Sequence, residues 1–489
     1  MLFIETRTAQ LGADGAMRIL LLEKLQEKGL TPLIRSARLH CFEQALLSTD
    51  RVKEMEHAIS ARTETEEGAL YVRGDVFCFE DIVLYLIFGD EDRDDQGLRA
   101  GIVYEAETAA PLLSLDSFCR NVRDALEATR ASSSIGSNGS SAGENGKALV
   151  EDITWREVKP HGLKDHLARF TEGRTGEASD VRKETNMERQ RAVELLEDAG
   201  ARRYLWRIRE SQATGSSGGV GGAEPQDAET EAGTEALVGK LSDAGLLRRE
   251  VVVSCRKVGR SLFRLPSPDA LNVITSSNAI CSECGAKIAD EKVDELIVPT
   301  EAASTLLENG SWLSTRLYSV LRSLGIPESH IAVGPSSSDG ETHMMADVSG
   351  EAFLFVLRDG DLTAAHARRA LEKQVETEAR HLVVVATGKI QDEARIRLRE
   401  HARRRARGGS EVEVLLVEGV NAAINELQHA FERVSQRALA EELCALDGAL
   451  GFSIGHMIST RFRLMQKPSA LRDLAESAVG ALAGSLREI

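Results

Sequence analysis

The spacing of apolar residues predicts an alternation of helices and strands in the second half of the chain. One amphipathic helix is predicted by five apolar residues at the i, i+4, i+7, i+8 and i+11 positions of one helix face: Leu313, Leu317, Val320, Leu321 and Leu324. The segments that follow predict strands over Ile331–Val333, Thr342–Val348 and Phe353–Arg358, a helix over Thr363–Ala379, a strand over His381–Ala386, a helix over Gln391–Arg407 and a strand over Val412–Val417. The continuous apolar run from His381 is typical of a fully buried parallel strand. This order predicts an α/β domain over residues 299–420.

Shorter periodic segments precede this domain. A helix over Met17–Lys28 and strands over Ala69–Val72 and Val76–Phe79 predict an N-terminal α+β domain of unknown function over residues 1–130. Two amphipathic segments predict a helical region over residues 148–212. Apolar residues continue in a helical pattern beyond the α/β domain and predict C-terminal helices over residues 421–489.

Two stretches of low complexity separate these regions. Residues 131–147 are rich in Ser and Gly, and residues 213–233 combine Gly and Ser with acidic residues. Neither composition provides enough apolar surface to pack a core, so both are predicted to be flexible linkers. The fold class predicted is therefore a multidomain combination of α+β and α/β, with a small module at residues 234–298 between the second linker and the α/β domain.

The composition limits the cellular compartment and the binding partners that we expect for this protein. A chain of 489 residues is too long for one core. No apolar run approaches the roughly 20 residues of a membrane-spanning helix, and the first residues lack the features of a signal peptide. Seven scattered cysteines are not a disulfide framework, so we expect a cytoplasmic protein without membrane contact. The net charge of −17 argues against coating nucleic acid over the whole surface.

A single predicted helix is strongly basic in this acidic chain. We consider five of its residues as candidates for contacting nucleic acid: Arg395, Arg399, Arg403, Arg404 and Arg407. A solvated helix face is one interpretation, and an edge that contacts phosphates is the other.

The module at residues 234–298 contains two similar cysteine turns. Cys255 is followed four residues later by Gly259, and the pair Cys281 and Cys284 is followed directly by Gly285. These residues resemble a zinc ribbon in which Val258 occupies the position of the fourth cysteine. The preceding helix, glycine and strand are similar to the end of a winged-helix domain. Three thiolates do not complete a structural zinc site, so either a histidine supplies the fourth ligand or apolar packing replaces the metal. We therefore expect weak zinc binding or none at Cys255, Cys281 and Cys284.

The element order over residues 299–420 resembles the PD-(D/E)XK restriction-endonuclease-like core. In that family, an Asp and a Glu-x-Lys motif on successive strands bind Mg²⁺ and activate water. The resemblance implies that Asp347 corresponds to the Asp, Arg358 to the Lys and Glu301 to an acid on the preceding helix. Val356 stands at the Glu position and cannot bind a metal ion. The site is therefore expected to be an inactive remnant of a nuclease site.

These observations favour a non-catalytic protein associated with DNA or with a larger complex. The resemblance to degenerate nuclease modules implies that the protein belongs to a prokaryotic defence or genome-maintenance system. Partners would be DNA at the basic helix, and other proteins or further copies of the same chain. Two alternatives stay open: a metal-dependent nuclease with an atypical set of acids, which would need Mg²⁺, and a purely structural protein that binds partners without contacting nucleic acid.

Overall fold

The structure is a computed structural model. It describes residues 1–10, 15–46, 51–56, 72–89, 97–135, 154–158, 167, 170, 187–213, 228–277, 279–336, 341–409 and 411–466. The chain divides into two compact units. The first, here the terminal unit, takes its residues from 1–161, 348–350 and 427–489, and the second, the central unit, from 162–347 and 351–426. The prediction of a multidomain protein of mixed helix and sheet is confirmed.

Thirteen strands are seen in the described residues: β1 Leu2–Ala9, β2 Gly74–Cys78, β3 Ile82–Phe88, β4 Leu98–Glu105, β5 Arg156–Glu157, β6 Leu247–Ser254, β7 Ser261–Leu265, β8 Lys292–Pro299, β9 Ile331–Ser336, β10 Glu341–Val348, β11 Glu351–Arg358, β12 His381–Ala386 and β13 Glu413–Glu418. The main helices of the same residues are α1 Gly15–Glu27, α2 Leu33–Leu46, α3 Pro111–Ile135, α4 Met187–Leu195, α5 Ala199–Ala213, α6 Ala228–Asp243, α7 Pro268–Ser276, α8 Glu301–Leu307, α9 Ser311–Ser323, α10 Ala364–Thr377, α11 Asp392–Arg407, α12 Val420–Asp447 and α13 Ile454–Gln466.

The terminal unit is built on an antiparallel sheet in the order β2-β3-β4-β1-β5. Side chains from α1 and α3 form a core on one face of this sheet. Residues of the second half of α12 and of α13 form a core on the opposite face, where Leu439 and Leu443 pack with Val83. Burial on both faces explains why every residue of β3 is buried and why its sequence is apolar without alternation.

The C-terminal helices therefore belong to a different domain arrangement from the one predicted. The sequence pattern suggested a separate helical region over residues 421–489, whereas the structure places its described residues 427–466 in the same unit as the N-terminal sheet. Each predicted linker is helical at least at one of its ends in the structure. Helix α3 continues to Ile135, and α6 begins at Ala228 in a stretch rich in Ala and Glu, which favour helix. The rest of both linkers lies outside the described residues.

The central unit contains a small antiparallel sheet in the order β7-β6-β8. Helix α6 leads into this sheet through Gly245, whose positive φ of 69° ends the helix, as Leu246 donates its amide to the carbonyl of Leu241 at 2.8 Å. Strand β6 is the central strand, and β8 returns along it before α8 begins. Thr300 caps α8 because its side chain accepts a hydrogen bond from the amide of Ala303.

The second sheet of the central unit has the order β13-β12-β11-β10-β9. Strands β11, β12 and β13 are parallel, and β9 pairs antiparallel with β10. In the sequence, helix α9 precedes β9, α10 lies between β11 and β12, and α11 lies between β12 and β13, which is the predicted order. The apolar side chains of β11 and β12 form the core with α10 and α11.

A histidine links the three parallel strands of this sheet where β12 begins. The imidazole of His381 contacts the carboxylates of Glu351 at 2.5 Å and Glu413 at 3.3 Å, and it stacks on Phe353 with a centroid distance of 4.0 Å. Burial acts to lower the pKa of His381, but its hydrogen bonds to the two carboxylates outweigh burial and raise it. His381 therefore contacts a carboxylate on each of the two strands that flank β12.

Candidate metal centre and arginine face

Two turns of the small module have the same backbone geometry. In the first, the amide of Gly259 donates to the carbonyl of Cys255 at 2.7 Å, and in the second, Gly285 donates to Cys281 at 2.9 Å. Both glycines have a φ of 74°, a conformation that residues with a Cβ rarely adopt. The amides of Cys255 and Cys281 donate to the carbonyls of the residues that close each turn. This repetition is what the cysteine-glycine spacing in the sequence predicts.

The first turn connects β6 and β7, and the second lies between α7 and β8. A short bridge between Ile280 and Lys287 closes the second turn. Both turns pack on a small core that includes Val251, Val253 and Ile288. These contacts hold the two turns beside each other and bring their cysteines together.

Four side chains converge between the turns. The sulfur atoms of Cys255, Cys281 and Cys284 and a carboxylate oxygen of Glu291 all lie within 4.8 Å of one another. Cys255 and Cys281 are 1% and 2% exposed, and Glu291 is 6% exposed. Thiolate and carboxylate groups are both metal ligands, so the cluster could bind a metal ion.

The fourth group of this cluster is neither the histidine nor the apolar packing that the sequence suggested. Val258, at the position of a fourth cysteine, is 59% exposed. No histidine belongs to the cluster among the described residues. Glu291 takes part instead, from the residue directly before β8. Several acidic residues follow the second turn in the sequence, and no spacing rule distinguishes Glu291 from its neighbours.

Hydrogen bonds orient the carboxylate and the thiols. The amide of Arg256 donates to Oε2 of Glu291 at 2.5 Å, and the thiol of Cys284 lies 3.0 Å from Oε1. That thiol contact raises the pKa of Cys284 to about 12 and lowers the pKa of Glu291. Burial acts to raise the pKa of Cys255, but hydrogen bonds from the amides of Val258 and Lys257 and from the thiols of Cys284 and Cys281 together lower it. The amides of the first turn therefore favour the charged form of Cys255.

The residues of the predicted nuclease remnant do not lie together. A two-residue connection joins β10 to β11, so these hydrogen-bonded strands form an antiparallel hairpin. Asp347 is next to the last residue of β10, near the turn, whereas Arg358 ends β11. Measured along the hairpin, the two residues are six strand positions apart, which is about 20 Å at about 3.4 Å per residue. Val356 is fully buried in the core.

The acidic residues in and near the predicted nuclease site do not face a common point. Asp347 is buried and lies 3.5 Å from Nδ1 of His330. Glu301 is the exposed first residue of α8. Asp359 accepts hydrogen bonds from Nε1 of Trp312 at 2.9 Å and from the hydroxyl of Thr387 at 2.7 Å. These contacts tie the ends of β11 and β12 to α9.

Helix α11 presents an exposed basic surface that we call the arginine face, defined by Arg399, Arg403, Arg404 and Arg407. Ala394 and Leu398 are buried on the opposite side of the helix. The fifth predicted residue, Arg395, is half-buried, and its guanidinium pairs with Glu418. The structure therefore separates Arg395 from the other four.

Comparison with protein-family models, curated proteins and solved structures found no match to this chain. Within the described part of the chain, no helix combines the length and the apolar character that crossing a membrane requires.

Proposed function

We propose that the chain is a non-catalytic protein that associates with nucleic acid through the arginine face of α11. The exposure of the four arginines carries this proposal. No carboxylate pairs with any of them among the described residues, although the chain as a whole has a net charge of −17. Unpaired guanidinium groups on a surface are suited to phosphate oxygens, which they bind with two parallel hydrogen bonds.

Stabilisation by the helix macrodipole explains the position of only some of these arginines. Basic residues in a last helical turn are stabilised by the partial negative charge at the helix C-terminus, typically by about 0.3–1 kcal/mol, and the effect is confined to that turn. Arg404 and Arg407 lie in the last turn of α11. Arg399 and Arg403 precede it and are not explained in this way, so they are the residues that support a binding surface most directly.

Our proposal of a non-catalytic role is based on the geometry of the β10–β11 hairpin in the five-stranded sheet. A metal-dependent nuclease needs carboxylates that converge on one ion, because each ligand must reach the metal directly. The buried Val356 offers no ligand, and Asp347 is far from Arg358 along the hairpin. We propose that residues 299–420 of the central unit form a restriction-endonuclease-like core that has lost this site. The observed order of helix, three strands, helix and strand supports that interpretation.

Zinc is the ion that we propose for the cysteine cluster. Soft thiolates favour zinc over Mg²⁺ or Ca²⁺, which prefer sets of oxygen ligands. The two turns belong to a small module with few buried residues, so a bound ion would contribute directly to its folding. We assign the zinc a structural role.

A binding titration with charge-reversed variants tests the proposed function. Fluorescently labelled duplex and single-stranded DNA are titrated at low salt with wild type, with Arg399→Glu/Arg403→Glu and with Arg368→Glu/Arg380→Glu. The last pair are exposed arginines outside the arginine face, and their reversal changes the net charge equally. We expect binding to be lost in the first variant and largely retained in the control. Absence of binding by wild type would favour a protein that binds only other proteins.

A further inference from the structure

The cysteine cluster contains a carboxylate where zinc ribbons have a fourth cysteine. We infer that Glu291 is the fourth ligand of the metal ion, so that the site is a complete one of three sulfurs and one oxygen. This inference rests on the proposed zinc and is independent of the arginine face.

The distances between the donor atoms are close to those of a closed four-ligand site. With Zn–S bonds of about 2.3 Å and Zn–O bonds of about 2.0–2.2 Å, the ligand atoms of a tetrahedral ion are roughly 3.5–4 Å apart. The four donor atoms here lie within 4.8 Å of one another. Modest side-chain rotation therefore suffices to bring them to bonding distance.

The position of Glu291 in the chain explains how it reaches the ion. A single 3-10 turn over Ile288–Asp290 reverses the chain after the second cysteine turn, with Ile288 buried against the cysteines. Glu291 follows directly and points its carboxylate at the first turn, where the amide of Arg256 binds Oε2. This hydrogen bond leaves Oε1, on the side of Cys284, as the oxygen that faces the sulfurs.

The hydrogen bond from Arg256 holds the Glu291 carboxylate in the way that metal-binding carboxylates are usually held. A ligand carboxylate is commonly held by a hydrogen bond to its non-coordinating oxygen, which fixes its direction and limits its motion. The same geometry has a competing explanation, in which Glu291 only accepts a hydrogen bond from the thiol of Cys284. The two explanations differ in the ligand count and in the effect of removing the carboxylate charge.

Zinc K-edge X-ray absorption of the full-length wild-type chain, loaded with zinc, counts the ligands without any substitution. We expect three sulfurs at about 2.3 Å and one oxygen at about 2.0–2.2 Å. A shell of sulfur and nitrogen would overturn the inference, because the fourth ligand would then be a histidine. Failure of the wild type to bind one zinc under zinc excess would contradict the proposed zinc itself.

Substitution then tests whether that oxygen comes from Glu291 or from water. Zinc affinity is measured by chelator competition for wild type, for Glu291→Gln and for the control Glu295→Gln, an acid of β8 whose side chain is 57% exposed. We expect Glu291→Gln to bind zinc at least tenfold more weakly and the control to be unchanged. Cobalt-loaded protein provides a second measurement, because its absorption spectrum changes with the ligand set.

The variant Val258→Cys/Glu291→Gln adds a rescue arm. Val258 occupies the cysteine position of an ordinary ribbon, so a thiolate there is expected to restore affinity with a four-sulfur cobalt spectrum. If Glu291→Gln keeps both the affinity and the cobalt spectrum of wild type, Glu291 is not a ligand. Should Glu291→Gln not fold, the absorption data and the rescue variant decide the question: an oxygen shell in wild type, replaced by sulfur in the rescue variant, supports the inference.

Discussion

Neutralising two residues of the arginine face is expected to halve the salt dependence of DNA binding. On duplex DNA, each phosphate contact lowers log affinity by about 0.9 per unit of log salt concentration, so four arginines give a slope of about 3.6 and two give about 1.8. Between 50 and 200 mM salt, the affinity of wild type should therefore fall about 150-fold and that of Arg399→Gln/Arg403→Gln about 12-fold.

Fluorescence anisotropy with a labelled duplex of fixed sequence, at four or more salt concentrations, measures both slopes. Arg368→Gln/Arg380→Gln removes the same net charge from exposed positions outside the arginine face and serves as the matched control. Its slope should remain that of wild type, because those arginines are not expected to contact phosphate. The comparison thus separates local contacts from the average charge of the protein.

Two results would refute this reasoning. If both variants lower the slope equally, binding depends on overall charge and α11 has no special role. If wild type binds and Arg399→Gln/Arg403→Gln keeps its affinity and slope, the arginine face is a solvated surface and the DNA contacts lie elsewhere.

Three further outcomes are expected. Purified protein should not cleave plasmid DNA with Mg²⁺ or Mn²⁺; cleavage that disappears in Asp347→Ala would contradict the loss of the nuclease site. The pKa of His381 is raised in the folded state, so the stability from its carboxylate pairs should be present below about pH 6.5 and lost as pH rises through the folded pKa; urea unfolding of wild type and His381→Gln at pH 6 and pH 9 should show this loss in wild type only. Gly101→Ala should destabilise the chain by about 1–3 kcal/mol, because a Cβ there would lie 2.1 Å from the ring of the buried Tyr85, whereas Gly239→Ala in α6 has free space and should be neutral or stabilising; thermal unfolding compares the two.

Local pattern was sufficient for most elements of the central unit. The helices and strands from α9 to β13 agree closely with the periodicity of Leu313 to Val417, because one buried face per element imposes a visible period on the sequence. The two cysteine turns were equally predictable, since a cysteine followed by a glycine with positive φ is a local requirement of the backbone.

Contacts between residues distant in sequence were decided only by the tertiary structure. The apolar face of α12 does not specify which surface it covers, and only the fold pairs Leu439 and Leu443 with the N-terminal sheet. Likewise, a motif read along the chain does not show that Asp347 and Arg358 lie at opposite ends of a hairpin, because that depends on the strand direction.

The fourth member of the cysteine cluster was likewise not predictable from local sequence pattern. Cys255, Cys281 and Cys284 were identifiable from spacing, but the fourth group was not, because a carboxylate can reach the cluster from any of several nearby positions. The reversal of the chain at Ile288–Asp290 and the amide of Arg256 select Glu291. The sequence determined that three thiols would meet, and the three-dimensional path of the chain determined that a carboxylate joins them.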